Sequence, residues 1–429
     1  MSSADLRKAV KGRVLEPGDD GFDTARRAWN PAVDQPVAAV VEAADAEDVA
    51  ALVRYARRSG RTVTAQASGH DASGDVDGVI LLRTNHLDGL QVRDGVARVG
   101  AGVNWGRVLS AAGPEGLTGL AGSSPVVNVT GYTLGGGLSW FGRRYGWAAD
   151  SVRAFDVVDA AGDRARVTAE SDPELFWGLR GGGGDFALVT ALEFDLHPAP
   201  SLYGGRVVWP QARAGEVFEA FRQITDGAPP ELTVWFSRFA FPGPPPMVAL
   251  DLTYLGDPSD GAELVRSIDE IGGAISDDRG PVPVADLGAI AGEPTAPTAS
   301  LPRAELLTGL DDCLATEPID PLISVQLRHL SGALAEPSTG ASGALQEPYL
   351  GGVGAGRFGR GRGAGRRGAG GQYRAGGALP GDPGAIRPGG ARGRAGRVGP
   401  GGGDAGGAAG RRTGAGRRHA RPAGPGRRA

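Results

Sequence analysis

The chain has 429 residues, of which 41% are hydrophobic, and a net charge of −4. Its length is sufficient for two or three packed domains. Its single cysteine, Cys313, excludes an internal disulfide. The N-terminus lacks the apolar segment typical of a signal peptide, and no run of 18 apolar residues is present. We therefore expect a cytoplasmic protein that does not bind a membrane.

The charge is distributed unevenly along the chain. The 79 residues from Gly351 onward include 30 Gly, 17 Arg and only 2 Asp, whereas residues 1–350 carry 28 basic and 47 acidic side chains. The acidic body lacks the basic surface that nucleic-acid binding requires. The tail is expected to be disordered because it has few apolar side chains to bury.

Two explanations of this tail stay open. It resembles an arginine/glycine-rich RNA-binding arm, in which case nucleic acid is the partner. It is also what a shifted reading frame in a G/C-rich gene produces, because Gly, Arg, Ala and Pro have codons that begin with two G/C bases. The second explanation places the break near residues 347–350 and leaves an inactive remnant as a further alternative.

The first predicted elements form a βαβ unit. A strand over 39–44 precedes an amphipathic helix over 47–58, with Asp45 as its N-cap and Gly60 at its end. Strands over 62–67 and 78–83 follow. An Asp-Gly turn then predicts a hairpin over 92–97, and a helix begins at Trp105.

The middle of the chain mixes helices and hairpins. We predict a helix over 138–145, in which Arg143 and Arg144 are solvated, and a hairpin formed by 152–159 and 164–168. A helix over 173–180 and a strand over 187–196 complete this part. Beyond Tyr203, the periodicity predicts strands at 232–239, 247–254 and 322–327 and a helix at 260–271.

These elements predict an α+β fold in which a two-lobed domain precedes an antiparallel sheet covered by helices. The expected organisation is an N-terminal segment over 1–30, the two-lobed domain over 31–199, an incomplete substrate-binding domain over 200–349 and the low-complexity tail over 350–429.

Three glycine-rich turns stand between these elements. The first, residues 65–74, carries His70 just after a β-branched strand, and the others span 131–137 and 180–186. Such turns let main-chain amides approach an anion closely. Their spacing predicts a bound dinucleotide whose ring is held by His70.

The first turn resembles the flavin-attachment turn of berberine-bridge-enzyme-like FAD-linked oxidases, which are vanillyl-alcohol-oxidase-type flavoproteins. Residues 131–150 and 174–190 are similar to the second and third flavin segments of that family. The resemblance runs from about Trp29 to His197 and more weakly to Tyr349. It implies a PCMH-type FAD-binding domain. It also implies an enzyme that passes a hydride from an alcohol, sugar or secondary metabolite to flavin N5, with O2 as the acceptor.

The resemblance also assigns cofactor-binding residues. The family's matching histidine is bonded to the flavin 8α-methyl group, which implicates His70 in covalent FAD attachment. Many members add a cysteine before a proline, but Ser124 stands at that position here, so attachment through His70 alone is expected. The remaining residues of the cleft are expected to be Ala67, Ser68, Gly69, Asp71, Gly74, Gly131, Gly135, Asp150 and Val189.

Two further features bear on catalysis. The small residue that the family often places two positions before Gly131 is Val129, which favours O2 as the acceptor. The family's C-terminal Asn-Tyr motif is not found, because Asn128 is the last asparagine of the chain. Tyr145 is then the remaining candidate for a catalytic hydroxyl. The histidines show no metal-ligand spacing, so no metal is expected.

Overall fold

The computed structural model describes residues 3–356 and a two-residue strand at 385–386. Main-chain contacts group these described residues in one compact unit. The predicted disorder from Gly351 is wrong for residues 351–356, which lie in a strand, and the other predictions for the tail fall outside the described residues. Among the described helices, none combines the length and apolar character that a bilayer crossing requires.

The elements of the first half of the chain have the following bounds. Before residue 84 they are α1 (Ser3–Ala9), β1 (Arg13–Leu15), α2 (Phe22–Ala25), β2 (Ala39–Glu42), α3 (Ala46–Ser59), β3 (Val63–Gln66) and β4 (Ile80–Arg83). Up to residue 198 they are β5 (Leu90–Arg93), β6 (Val96–Gly100), α4 (Trp105–Ala112), β7 (Leu117–Thr118), α5 (Val129–Leu134), α6 (Gly142–Tyr145), β8 (Val152–Val158), β9 (Arg164–Val167), α7 (Pro173–Leu179), β10 (Leu188–Asp195) and β11 (His197–Pro198).

The elements of the second half build one further sheet and its helices, except for the last strand, which pairs with β3 in the first sheet. They are β12 (Leu202–Pro210), α8 (Ala214–Thr225), β13 (Leu232–Phe239), β14 (Met247–Leu255), α9 (Pro258–Leu264), β15 (Ser276–Asp277), β16 (Gly280–Pro281), β17 (Ser300–Leu307), α10 (Cys313–Thr316), β18 (Ser324–His329), β19 (Tyr349–Gly356) and β20 (Ala385–Ile386).

The predicted βαβ unit is confirmed. Strands β2 and β3 both pair in parallel with β4, and α3 is the crossover helix between β2 and β3. Asp45 caps α3 by accepting from the main-chain N–H of Asp48, and Gly60 ends the helix at φ 65°. The apolar face of α3 packs on this sheet, so the loop after β3 is held on a rigid base.

The second sheet is antiparallel, in the order β5-β6-β10-β8-β9. Its two predicted hairpins and the strand near 187–196 are confirmed. The predicted helix over 138–145 is wrong for residues 138–141. A helix forms earlier, at Val129–Leu134, because Asn128 caps it by accepting from the N–H of Gly131. Gly136 and Gly137 then adopt positive φ angles, which turns the chain away from a helix.

The third sheet is antiparallel and runs β15-β12-β14-β13-β18-β19-β17, with β16 also paired to β12. Helix α8 packs its apolar side chains on one face of this sheet. This helix was not predicted, although its apolar residues recur at helical spacing. The predicted helix over 260–271 is shorter, because Val265 leaves helical geometry and a 3-10 turn follows at Arg266–Glu270.

The prediction that Arg143 is solvated is wrong. Its guanidinium is buried and donates to the main-chain carbonyls of Leu330, Pro229, Leu232 and Ala228. Burial lowers the pKa of Arg143 to about 10. The Arg143 side chain thereby joins helix α6 to main-chain carbonyls of the third sheet and its loops. No local sequence pattern predicts these contacts.

A buried histidine at the end of β18 predicts loss of stability in mild acid. Burial, assisted by nearby Arg143, lowers the pKa of His329 to about 3, below its ordinary value of 6.5. Below pH 6.5 the unfolded chain therefore binds a proton that the native chain does not. This residue should then remove on the order of 1 kcal/mol of unfolding free energy per pH unit below about pH 6.

Thermal melts between pH 7.5 and pH 5 check this expectation. The melting temperature of His329→Leu should fall less over this range than that of the wild type, by a few degrees. His86→Leu, at an exposed position, is the control and should follow the wild-type slope. Equal slopes for His329→Leu and the wild type would contradict the assignment.

Candidate functional site

A cavity of about 320 Å³ lies at the end of β3. Three stretches of chain form most of its wall, namely residues 65–71, 127–135 and 183–189, joined by Thr84 and Ala101. The three glycine-rich turns singled out in the sequence thus meet at one place. The predicted residues that line the cavity are Ala67, Ser68, Gly69, His70, Asp71, Gly131, Gly135 and Val189.

The turn that carries His70 is fixed by its neighbours. The Oγ of Ser68 lies 2.7 Å from Nδ1 of His70, and the indole of Trp29 stacks on the imidazole with centroids 4.3 Å apart. The carbonyls of Ser68 and Gly69 both accept from the main-chain N–H of Trp29. Burial lowers the pKa of His70 to about 4, so its ring is neutral at pH 7.

The cavity wall contains polar atoms that lack a partner within the described part of the chain. Oε1 of Gln66 and Oγ1 of Thr130 are both buried and accept or donate no hydrogen bond there. A buried polar group without a partner costs about 1–3 kcal/mol. Beside them the space at Gly131 is open, since a Cβ there would meet only Oδ1 of Asn128, at 3.9 Å. These features are typical of a site that a polar ligand completes.

Gly69 is expected to tolerate no side chain. Its φ is +75°, and a Cβ would lie 2.8 Å from Oε1 of Gln66 and 3.3 Å from Cα of Ala28. Gly69→Ala should therefore distort the turn and weaken binding of the FAD that the resemblance implies, measured as flavin absorbance of the purified protein. Gly78→Ala is the matched control, because its φ is +70° but nothing lies within 4 Å of the added Cβ.

The two variants share the strain of a positive φ, which costs about 1–2 kcal/mol for an L-residue. They differ in the contact beside the cavity. Gly78→Ala should keep its flavin at wild-type stoichiometry despite a lower melting temperature. If both variants keep it equally, the close approach at Gly69 is not needed for the site.

Two predicted cleft residues lie away from the cavity. Gly74 packs on the residues just before β2, where a Cβ would meet the carbonyl of Asp34 at 3.1 Å and Val33 at 3.2 Å. Ser124 is buried, and its Oγ has no partner among the described residues. Neither lines the cavity, and their place in the FAD cleft stays a prediction.

Asp150 also lies outside the cavity wall. Its Oδ1 accepts from the hydroxyl of Ser338 at 2.7 Å and from the main-chain N–H and hydroxyl of Thr339, both at 3.1 Å. The Asp150 carboxylate therefore joins the loop before β19 to the end of segment 131–150. Asp150 is not among the residues that line this cavity, and its place in the FAD cleft stays a prediction.

Tyr145 and Val129 do not lie at the cavity either. The ring of Tyr145 stacks on His197 at 4.2 Å, its hydroxyl donates to the carbonyl of Pro198, and burial raises its pKa. Val129 is the first residue of α5 and points into the core. The catalytic role expected for Tyr145 and the oxygen-access role expected for Val129 therefore find no geometric support.

Several wall residues were missed by sequence reasoning. Asn128 carried a readable signal, since Asn just before a helix is a common N-cap. Six others lie inside the predicted glycine-rich turns but were not assigned individually, namely Ala65, Gln66, Tyr132, Leu134, Gly183 and Gly184. The rest show no local signal, because strand ends and loops far apart in sequence bring them together. They are Thr84, Ala101, Val127, Thr130, Ala187 and Leu188.

Within residues 3–356 and 385–386, no three His, Cys, Asp or Glu side chains are placed to hold a metal ion. The cavity wall offers main-chain amides, hydroxyls, the carboxamides of Gln66 and Asn128, the carboxylate of Asp71 and the imidazole of His70.

Comparison with known proteins identifies the ligand class. A family model described as an FAD binding domain matches residues 37–168. The (R)-6-hydroxynicotine oxidase of Paenarthrobacter nicotinovorans is 32% identical over 209 residues, which are 47% of this chain and 45% of that protein. The chain spans about half the length of the curated relatives it matches. These relatives give no support to the RNA-binding alternative.

Solved structures show the same fold. The Physcomitrella patens BBE-like 1 protein superposes with a TM-score of 0.71 at 20% identity, covering 83% of this chain and 84% of that one. A glucooligosaccharide oxidase of Acremonium strictum, whose structure is described as revealing a novel flavinylation, gives a TM-score of 0.71 at 21% identity and covers 82% and 80%. At this identity the likeness establishes the fold.

Proposed function

We propose that this chain, whose residues 37–168 form the FAD-binding domain of an FAD-linked oxidoreductase, oxidises a hydroxylated small molecule with O2 as the electron acceptor. The observation that carries the proposal is the cavity at the end of β3, where the His70 turn and the two other glycine-rich turns meet inside that domain. When bound, FAD would accept a hydride from a substrate C–H at N5 and pass two electrons to O2.

The wall of the cavity fits such a cofactor. The main chain of residues 67–71 is proposed to hold the pyrophosphate, since glycine in this turn lets amides approach an anion. Gln66 and Thr130 each offer a buried polar atom that lacks a described partner. Gly131, Gly135 and Val189 are proposed to flank the cofactor because all three line the cavity.

His70 is proposed to attach FAD covalently. Attachment needs an imidazole nitrogen with a free lone pair, and the depressed pKa of His70 keeps the ring neutral at pH 7. Ser124 cannot form the thioether that a cysteine would, so His70 is the single attachment point in this proposal. Attachment would form one C–N bond between the imidazole and the 8α carbon of the flavin. The imidazole and the 8α-methyl group would each lose one hydrogen, and O2 would be reduced to H2O2.

A polar row across the third sheet supports a hydroxylated substrate. Arg206, Asp251, Trp235 and Arg328 are direct cross-strand partners on β12, β14, β13 and β18. Asp251 is fully buried and accepts from Nε of Arg206 at 2.5 Å, and the Arg328 guanidinium lies 4.0 Å over the Trp235 ring. These residues lie on the face opposite helix α8, and the same face carries Thr233, Ser237, Thr253 and Gln326 at alternate register positions. Relatives named for hydroxynicotine and oligosaccharide oxidation suggest substrates of this class.

Purified protein tests the proposal directly. We expect a yellow protein that absorbs at about 450 nm, the signature of oxidised flavin, and keeps its colour in the pellet after acid precipitation. If the colour instead appears in the supernatant, the protein binds FAD but not covalently, and the proposed attachment is overturned. A colourless protein that also fails to bind added FAD would overturn the proposed function.

The composition from Gly351 onward is proposed to come from a shifted reading frame, with the break near residues 347–350. Translating the coding DNA in its other two frames from about codon 345 tests this. An ordinary globular segment with an Asn-Tyr motif in one of them would support the proposal. Gly/Arg-rich or stop-interrupted sequence in both would overturn it.

A further inference from the structure

We propose that Trp29 is a positioning residue for cofactor attachment, holding the His70 imidazole in one orientation at the cavity wall through ring stacking and two main-chain hydrogen bonds. This inference rests on the proposed function, because it concerns how His70 meets FAD. It assigns a role to the segment before β2, which the sequence analysis treated as a plain N-terminal segment.

The contact between the two rings is close and nearly parallel. The centroids are 4.3 Å apart and the planes are inclined by 16°, which places the indole over one face of the imidazole. At the edge of the ring, Oγ of Ser68 is hydrogen-bonded to Nδ1 of His70 at 2.7 Å. Stacking and an edge hydrogen bond together fix both the plane and the rotation of the imidazole.

The main chain of Trp29 is bonded to the same turn. Its N–H donates to the carbonyl of Ser68 at 3.0 Å and to that of Gly69 at 3.2 Å. The space on this side of the turn is full, since a Cβ on Gly69 would lie 3.3 Å from Cα of Ala28. The indole and the histidine turn therefore move as one unit.

A buried arginine anchors the segment that carries Trp29. Arg83, at the end of β4, donates its Nε to the carbonyl of Ala25 at 2.8 Å and its Nη2 to that of Arg27. Arg83 is buried, and burial lowers its pKa to about 10, although the charge of its cross-strand neighbour Glu42 acts in the opposite direction. Burying a cation is costly unless its donors are satisfied, and the carbonyls that satisfy these donors belong to the residues just before Trp29.

The second anchor is a buried amide pair. Nε2 of Gln35 donates to the carbonyl of Arg26 at 2.6 Å, and Nε2 of Gln66 donates to Oε1 of Gln35 at 2.7 Å. Because Gln66 lines the cavity, the segment is joined to the cavity wall itself. Trp29 is only half-buried, so its larger contribution is the face it presents to His70.

Orientation matters because attachment forms a single bond at a defined angle. An imidazole nitrogen bonds to the 8α carbon, each partner loses one hydrogen, and O2 takes up the two electrons and the two protons as H2O2. A freely rotating ring seldom presents its lone pair correctly, whereas a fixed ring does so continuously. Such positioning effects reach several orders of magnitude in rate, and one stacking contact accounts for a small part of that.

The test follows covalent flavin directly and not turnover. Full-length apoprotein from riboflavin-depleted cells is mixed with FAD, and acid-stable flavin fluorescence on the polypeptide is recorded against time. Trp29→Ala should slow attachment about tenfold or more, while Trp29→Phe, which keeps an aromatic face, should stay within about threefold of wild type. Trp177→Ala, at an exposed tryptophan elsewhere, is the control and should attach at the wild-type rate.

A second measurement separates positioning from a general loss of structure. In the His70→Ala background, Trp29→Ala should leave the dissociation constant for non-covalent FAD unchanged within about twofold, since its role acts through His70. Attachment at the wild-type rate in Trp29→Ala, or a much weaker dissociation constant in the double variant, would overturn the inference. Failure of the wild type to bind FAD at all would instead overturn the proposed function.

Discussion

Replacing His70 by alanine is expected to abolish covalent flavin completely while leaving FAD bound non-covalently. The imidazole is the single attachment group in the proposed site, so its loss removes the C–N bond. The remaining wall, including Gln66, Thr130 and Gly131, is unchanged. The purified variant should be yellow before acid precipitation, and all of its flavin should then appear in the supernatant.

His86→Ala is the control for this experiment. His86 is exposed and does not line the cavity, so its flavin should stay with the acid pellet as in the wild type. Flavin retained in the pellet by His70→Ala would place the attachment elsewhere. A His70→Ala protein with no flavin in either fraction would show that the histidine is needed for binding itself.

Replacing Arg143 by methionine is expected to destabilise the folded chain by about 3–5 kcal/mol, because it removes a buried cation that satisfies several carbonyls at once. Four carbonyl oxygens, from Ala228 to Leu330, accept from this guanidinium. Methionine fills a similar volume but donates nothing. Chemical denaturation should show the loss as a lower midpoint, or as insoluble protein on expression.

The adjacent Arg144 provides the matched control. It is about half exposed, and Nε lies 3.2 Å from a carboxylate oxygen of Glu231. Exposed ion pairs contribute at most about 1 kcal/mol, so Arg144→Met should unfold close to the wild-type midpoint. Similar midpoints for the two variants would show that the buried position of Arg143 carries no special weight.

The sequence predicted best those elements whose signals are local. Helix α3 has a capping aspartate at Asp45, a terminating Gly60 and apolar residues at helical spacing, and its position is confirmed within one residue. The hairpin at Asp94-Gly95 is confirmed for the same reason, since the turn itself selects the conformation. The glycine-rich turns were likewise readable, and three of them do meet at the cavity.

The failures concern contacts between residues far apart in sequence. Arg143 looked solvated beside another arginine, because its carbonyl partners lie 85 or more positions away. Trp29 meets His70 only once β3 and the N-terminal segment are packed together. The hydrogen bonds that Asp150 accepts from Ser338 and Thr339 are likewise found only in the folded chain. Composition and periodicity contain no information about such pairs.

Strand β19 has a consequence for any shortened form of this protein. It lies between β17 and β18 and pairs with both, so it is the only link between β17 and the rest of its sheet among the described strands. In a chain that ends before Tyr349, the main-chain N–H and C=O groups along one side of β18 would be unpaired. Strand β17 would have no strand to pair with among those described. Open strand borders of this kind recruit other chains, so such a truncation would favour self-association into aggregates over a soluble monomer.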